Sequence, residues 1–180
     1  MTPFDRAVTA TLEKEGVFSN HAADRGGATK YGITERVARA NGYSGAMQDL
    51  TIEQAKSIYK LQYWDLLRLD EIADLSYAIA EEMFDTIVNG GNVGLWLQRA
   101  LNAFNREQKD YPDLTADGRI GPVTVLTLRE FLVLRGAKGE RAILKALNSI
   151  QGERFIRLAE NDPSQEAFAF GWFERVSIGA

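Results

Sequence analysis

The stretch EGVFSNHAADRGGATKYGIT, from Glu15 to Thr34, separates a helix from a run of helices and decides the fold. Its glycines at 16, 26, 27 and 32 and its weak helical periodicity mark strand-like pieces at 17–19 and 28–33 around a polar Asn20–Gly27 segment. This pattern implies a small, irregular β-hairpin or sheet. Before it lies a well-punctuated helix. Thr2 is an N-cap, Pro3 sits at N1, and Phe4, Val8 and Leu12 recur every four residues as a buried stripe. Gly16 suits the C′ position, so Glu15 falls at the helix's C-terminal end. Carbonyl ends there raise the local negative potential and favour a protonated carboxyl.

Beyond Thr34 the chain reads as helical. Thr34 caps a helix that stops before Gly42, and Thr51-x-x-Gln54 is a capping box opening a helix with Ile52, Ala55, Ile58 and Tyr59. Leu75–Asn89 is strongly apolar, with Ile79, Met83 and Ile87 on one stripe and Gly90-Gly91 as its stop. Val93, Leu97, Leu101 and Phe104 define the next helix. Pro122 starts another after the turn DGRIGP, and 139–160 forms a long one. Phe168, Phe170, Trp172 and Phe173 cluster near the end. The expected class is α+β, mainly α, with a small sheet lobe. Gly90-Gly91-Asn92 is the natural internal boundary, dividing 1–91 from 92–180, and it is too short to be a tether, so the two parts are expected to pack as one body.

Composition removes whole classes of chemistry. The 180 residues hold no cysteine and one histidine, His21. Disulfides and thiolate nucleophiles are excluded, and a catalytic zinc site, which usually takes three His- and Cys-dominated ligands, is starved. A Ser-His-Asp mechanism would have to converge on His21 alone. Carboxylates are abundant, with 25 Asp and Glu. The net charge of −4 argues against nonspecific nucleic-acid binding, which relies on a basic surface. No run approaches the ~20 apolar residues of a membrane span. The N-terminus reads as a mature helix and not as a signal peptide.

Two carboxyl groups are the usual requirement for cutting a glycosidic bond, one protonating the leaving oxygen and one activating water or attacking the sugar. Glu15 at a helix end, followed by a hairpin with Asp24 and Thr29, offers an acid, a base and a hydroxyl, and Gly26-Gly27 allows a tight turn beside Asp24. On physical grounds alone Asp24 is as well read as a turn residue and Thr29 as a strand residue. Asp85 and Asn89 lie one helical turn apart on an otherwise apolar segment. They are therefore either satisfied partners or cleft-lining groups. Tyr31, Tyr63 and Trp64 are either core aromatics or a sugar-stacking surface.

Glu15-Gly16-x-Phe18-Ser19-Asn20…Asp24-Arg25-Gly26-Gly27-Ala28-Thr29-Lys30-Tyr31-Gly32-Ile33-Thr34 resembles the signature of glycoside hydrolase family 108, lysozyme-like muramidases that include many phage endolysins. The resemblance continues through Tyr63-Trp64-Asp65 and Phe84-Asp85-x-x-Val88-Asn89-x-Gly91. Position 17 departs from it, being Val where the family usually has Gly. Leu97-Gln98-Arg99-Ala100-Leu101, Asp117-Gly118-Arg119-Ile120-Gly121-Pro122-x-Thr124 and Gly171-Trp172-x-x-Arg175-Val176 look like the predicted peptidoglycan-binding region that commonly follows.

The resemblance implies a lysozyme-like fold with a cleft between a sheet lobe and a helical lobe. It also implies an N-acetylmuramidase that cleaves the β-1,4 bond between N-acetylmuramic acid and N-acetylglucosamine. Glu15 is the implied general acid, Asp24 the group acting on water, and Thr29 its helper, although the Asp24–Thr29 interval is one residue shorter than the common phage spacing. A lytic transglycosylase using Glu15 and a non-catalytic wall-binding or virion protein are the alternatives. No cofactor or metal is implied. The expected partner is the peptidoglycan glycan strand, with no nucleic acid, no stable membrane association and a monomeric state. The expected setting is phage lysis: synthesis in a host cytoplasm without a signal peptide, then access to the wall through a holin-type pore.

Overall fold

The computed structural model describes residues 1–14, 18–19, 28–174 and 176, and the chain divides into two compact units, Met1–Leu66 and Leu67–Ala180. In the first unit, Thr2 opens α1 (Pro3–Lys14). Its hydroxyl accepts from the Asp5 amide at 3.1 Å, and the Asp5 carboxylate accepts from the Thr2 amide at 2.9 Å. This reciprocal cap satisfies two of the amides that a helix start leaves unpaired. Phe4, Ala7, Val8 and Thr11 are buried, whereas Leu12 is half-buried. Each four-residue step overshoots a turn of 3.6 residues, so the buried face drifts away from the expected Phe4–Val8–Leu12 line.

Three short antiparallel strands follow, β1 (Phe18–Ser19), β2 (Thr29–Lys30) and β3 (Ile33–Thr34), with β2 in the middle. The single strand-like piece expected over 28–33 folds back on itself, because Tyr31 and Gly32 have φ of +52° and +73°. Two successive left-handed residues make the tight turn whose twist matches a hairpin. The register sets Ser19, Thr29 and Thr34 side by side in one row and Phe18, Lys30 and Ile33 in the other. Ile33 is buried, which fixes that register against slippage.

Thr34 then caps α2 (Glu35–Ala40) by accepting from the Val37 amide at 3.4 Å. The capping box of Thr51 and Gln54 opens α3 (Ile52–Tyr59), which buries Ala55, Ile58 and Tyr59 and leaves Ile52 exposed. The helix next widens into a π-helical turn, Lys60–Trp64, where the Asp65 amide bonds the Lys60 carbonyl five residues back at 2.9 Å. The wide turn carries Trp64 inward, fully buried and edge-on to Phe4 with ring centroids 5.5 Å apart.

Among the described residues the regular elements of the second unit are helices: α4 (Leu69–Ala73), α5 (Tyr77–Val88), α6 (Val93–Phe104), α7 (Pro122–Asn161) and α8 (Glu166–Phe173), with the turns and coil of 105–121 between α6 and α7. The helix expected from Pro122 and the long one expected over 139–160 are the two arms of α7, divided at Gly136, whose φ of +54° and ψ of −146° are not helical. Both α5 and α6 pack on α7, with Ile79, Met83, Val93, Leu97, Leu101, Leu128, Ile143 and Leu147 all fully buried.

Gln98 buckles α6 to the DGRIGP turn. Its side chain donates to Asp117 at 3.1 Å and to the Arg119 carbonyl at 2.9 Å, and it accepts from the Gly118 amide at 2.8 Å. A Cβ on Gly94 would stand 2.2 Å from the Gly118 carbonyl oxygen, so the backbone approach needs glycine there. The motif therefore has a structural task, anchoring the start of α7. At the far end Phe155 meets Trp172 and Phe173 at 5.4 and 6.1 Å, while Phe168 and Phe170 are exposed. Among the described residues no helix is long and apolar enough to cross a membrane.

Candidate active site

Glu15, the candidate acid, follows directly on the last residue of α1, and it and Asp24 lie outside the described residues. Thr29 is described. It occupies the central strand, half-buried, in the row that also holds Thr34. α1, the three strands and the π-helical turn belong to the first unit.

Tyr59 organises the aromatic part. Its ring is buried, and its hydroxyl donates to the Tyr31 carbonyl at 3.0 Å. That bond pins the hairpin turn at the residue carrying an unfavourable positive φ, a backbone state that costs a non-glycine residue about 1 kcal/mol or more. On its other side the Tyr59 ring lies 5.7 Å from that of Tyr63. Tyr31 and Tyr63 are both half-buried. Burial pushes the Tyr63 hydroxyl's pKa up, opposed by the Arg36 charge, so Tyr63 stays a neutral donor at any physiological pH. Lys30 places its ammonium 5.2 Å from the Tyr31 ring centroid and donates to the Gln48 carbonyl. Trp64 offers no face to a ligand, being fully enclosed against Phe4. Asp65, the last residue of that motif, pairs with Lys60 at 2.7 Å.

Tyr59 was read from sequence only as a core residue of α3. Its positioning role depends on a contact spanning 28 residues, and no local pattern signals such a contact. The π-helical turn is likewise invisible to a 3.6-residue period, although such turns occur often at functional sites.

Asp85 and Asn89 stand at the C-terminal end of α5 in the second unit. The Asn89 amide donates to the Asp85 carbonyl at 2.7 Å and reaches its carboxylate at 3.4 Å. Beside them is a group the sequence reading passed over. Glu82 is half-buried, and burial, aided by the Asp85 charge, holds its pKa above the ordinary carboxylate value. Hydrogen bonds from Asn148 and Thr86 oppose that shift. A glutamate inside an apolar run is the one sequence signal that could have singled it out.

Against known proteins, residues 8–91 match the family model described as glycosyl hydrolase 108, and residues 92–177 match the model of the predicted peptidoglycan domain. The chain pairs a glycosyl hydrolase 108 domain with a predicted peptidoglycan domain. A solved structure, that of Brucella abortus SagA, resembles the whole chain with a TM-score of 0.69 at 24% identity, covering 96% of this chain and 88% of that one. No curated protein matches. The chain thus shares the fold of SagA, mainly α with a small antiparallel sheet. Its two domains make it a glycoside hydrolase acting on peptidoglycan. The junction between the two family models, at 91/92, falls inside the second compact unit, which begins at Leu67.

Proposed function

We propose that the protein is an N-acetylmuramidase that hydrolyses the β-1,4 bond between N-acetylmuramic acid and N-acetylglucosamine. Glu15 protonates the leaving oxygen, Asp24 activates or positions the attacking water, and Thr29 helps to hold that water. The observation that carries this reading is the match of residues 8–91 to glycosyl hydrolase 108, because that span contains the whole Glu15–Thr34 pattern. Supporting it, α1 runs to Lys14, directly before Glu15 in the sequence. Tyr31 and Tyr63 are the sugar-contacting aromatics in this reading. Trp64 supports them from the core, and Asp85 with Asn89 contributes polar contacts to the glycan. The phage endolysin role belongs to the same proposal: a monomer that reaches the wall through a holin-type pore.

The test is mass spectrometry of sacculi digested by the wild type and by Glu15→Gln. Wild-type digests are expected to release fragments with reducing muramic acid ends, and Glu15→Gln, with an unchanged circular dichroism spectrum, to lose activity by at least about a thousandfold. Fragments lacking one water at that end would instead assign a lytic transglycosylase. Sacculus binding without release of fragments would assign a non-catalytic wall protein.

A further inference from the structure

A cavity wholly within the second unit has a volume of about 580 Å³ and lies between the Gly90 turn, the start of α6 and the distal arm of α7. That volume is in the range that holds a small ligand. Three guanidiniums line it, those of Arg99, Arg154 and Arg157, against the single carboxylate of Glu153. Glu153 is already committed, since Arg157 donates to it one turn along the helix. Among the described residues neither Arg99 nor Arg154 has a carboxylate partner. Arg99 is exposed, but Arg154 is half-buried. Its guanidinium sits over the turn, 3.2 Å from where a Cβ on Gly90 would lie. Burial lowers its pKa, the mark of a cation that has given up water without a protein anion to replace it.

Such a group is costly unless something else neutralises it. The Trp96 ring, 6% exposed and packed directly on the backbone of Gly91, gives the cavity an apolar wall. A cavity with two uncommitted guanidiniums and an aromatic wall suits a ligand that carries carboxylates on an aliphatic frame. Guanidinium forks match carboxylates in geometry as well as charge.

We propose that this cavity binds the carboxylates of peptidoglycan stem peptides, so that the second unit recognises the peptide and not only the glycan. The inference rests on the peptidoglycan reading above, but it concerns a site that shares no residue with the Glu15–Thr34 region. Arg154 is the central contact and Arg99 the outer one. The consequence is selectivity: walls whose stem carboxylates are amidated should bind less well.

The test is calorimetric titration of the full chain with three soluble probes: a disaccharide tetrapeptide, the same compound with its carboxylates amidated, and the peptide-free disaccharide. The wild type should prefer the acidic muropeptide over the amidated one by at least about tenfold. Arg154→Gln should abolish that preference, and the exposed Arg99→Gln, which leaves no buried gap, should reduce it several-fold. Equal binding of the acidic and amidated forms by the wild type would overturn the proposal. So would a preference retained in both variants, or displacement of the muropeptide by inorganic phosphate at equal concentration. Sacculus digestion by the same wild-type preparation separates the two readings. Normal digestion with no carboxylate preference sinks this site alone, whereas absence of digestion sinks the muramidase assignment.

Discussion

Glu82 illustrates how a single buried carboxyl links stability to pH. Its folded-state pKa is raised above 4.5, chiefly by burial, so the native state holds a proton that the unfolded chain would release. The stability associated with that proton is fully present below the unfolded value and is lost as the pH rises through the folded one. Glu82→Gln keeps an acceptor for Thr86, which donates to Glu82 at 3.3 Å, and never ionises. The variant is expected to match the wild type in thermal midpoint at about pH 4 and to exceed it increasingly towards pH 8. A scan of melting temperature against pH checks this, and a constant difference across the range would refute it. Tyr59 offers the complementary case, a neutral group whose value lies in position. Tyr59→Phe removes the bond to the Tyr31 carbonyl and should cost about 1 kcal/mol in a urea titration. It should also raise KM for glycan strands more than it lowers kcat, since the turn carrying Tyr31 loses its anchor while Glu15 is untouched.

At the scale of elements, the punctuation residues were the legible part of the sequence. Thr2-Pro3, Thr34 and Thr51-x-x-Gln54 all cap helices as their local chemistry demands. The strand pair around Tyr31-Gly32 was blurred into one piece, because a positive φ at tyrosine is paid for by the distant hydroxyl of Tyr59. The run Arg106, Glu107 and Gln108, at φ of +55°, +60° and +63°, was equally hidden. These three successive left-handed residues contain no glycine. They are held from outside the run: Asn105 accepts from the Gln108 amide at 3.2 Å, and Asp110, itself bridged to Arg135 at 3.0 Å, takes Arg106. Glu107 has the weakest claim on its place, with only an exposed ion pair to Lys109 at 3.9 Å, a contact worth little. Glu107→Gly should relieve the left-handed penalty of about 1 kcal/mol or more and lose part of that to the greater freedom of the unfolded chain. The expected net gain is about 0.5–1 kcal/mol, visible as a higher denaturant midpoint at unchanged slope. The acid, base and glycine spacing within the Glu15–Thr34 pattern is local, so candidates can be picked from sequence there, and Glu15 and Asp24 lie outside the described residues. Glu82 and the arginines of the cavity in the second unit were not legible, because 99 and 154 meet only through the packing of α6 on α7.

For the whole molecule, the family-model junction and the physical division disagree, and the disagreement can be tested. A cut at 91/92 would separate α5 from α6 and α7, yet α5 packs on α7, and Ile79, Ala80 and Met83 on α5 are fully buried. The Gln151 amide also reaches the Thr86 hydroxyl across that contact at 3.4 Å, where both groups are buried. Exposing three such side chains costs several kcal/mol at ~1.5–3 kcal/mol each for the larger ones, which is comparable to the whole stability of a small domain. A cut at 66/67 leaves that packing intact, because α4 to α8 remain together. Fragment 67–180 should therefore fold alone, with dispersed amide proton resonances and a cooperative thermal transition. Fragment 92–180, although it holds all of the peptidoglycan domain by family boundary, should bind a hydrophobic dye and melt without cooperativity. A cooperative 92–180 fragment would mean that α5 belongs energetically to the hydrolase domain, and that the packing of α5 on α7 is an interface between domains.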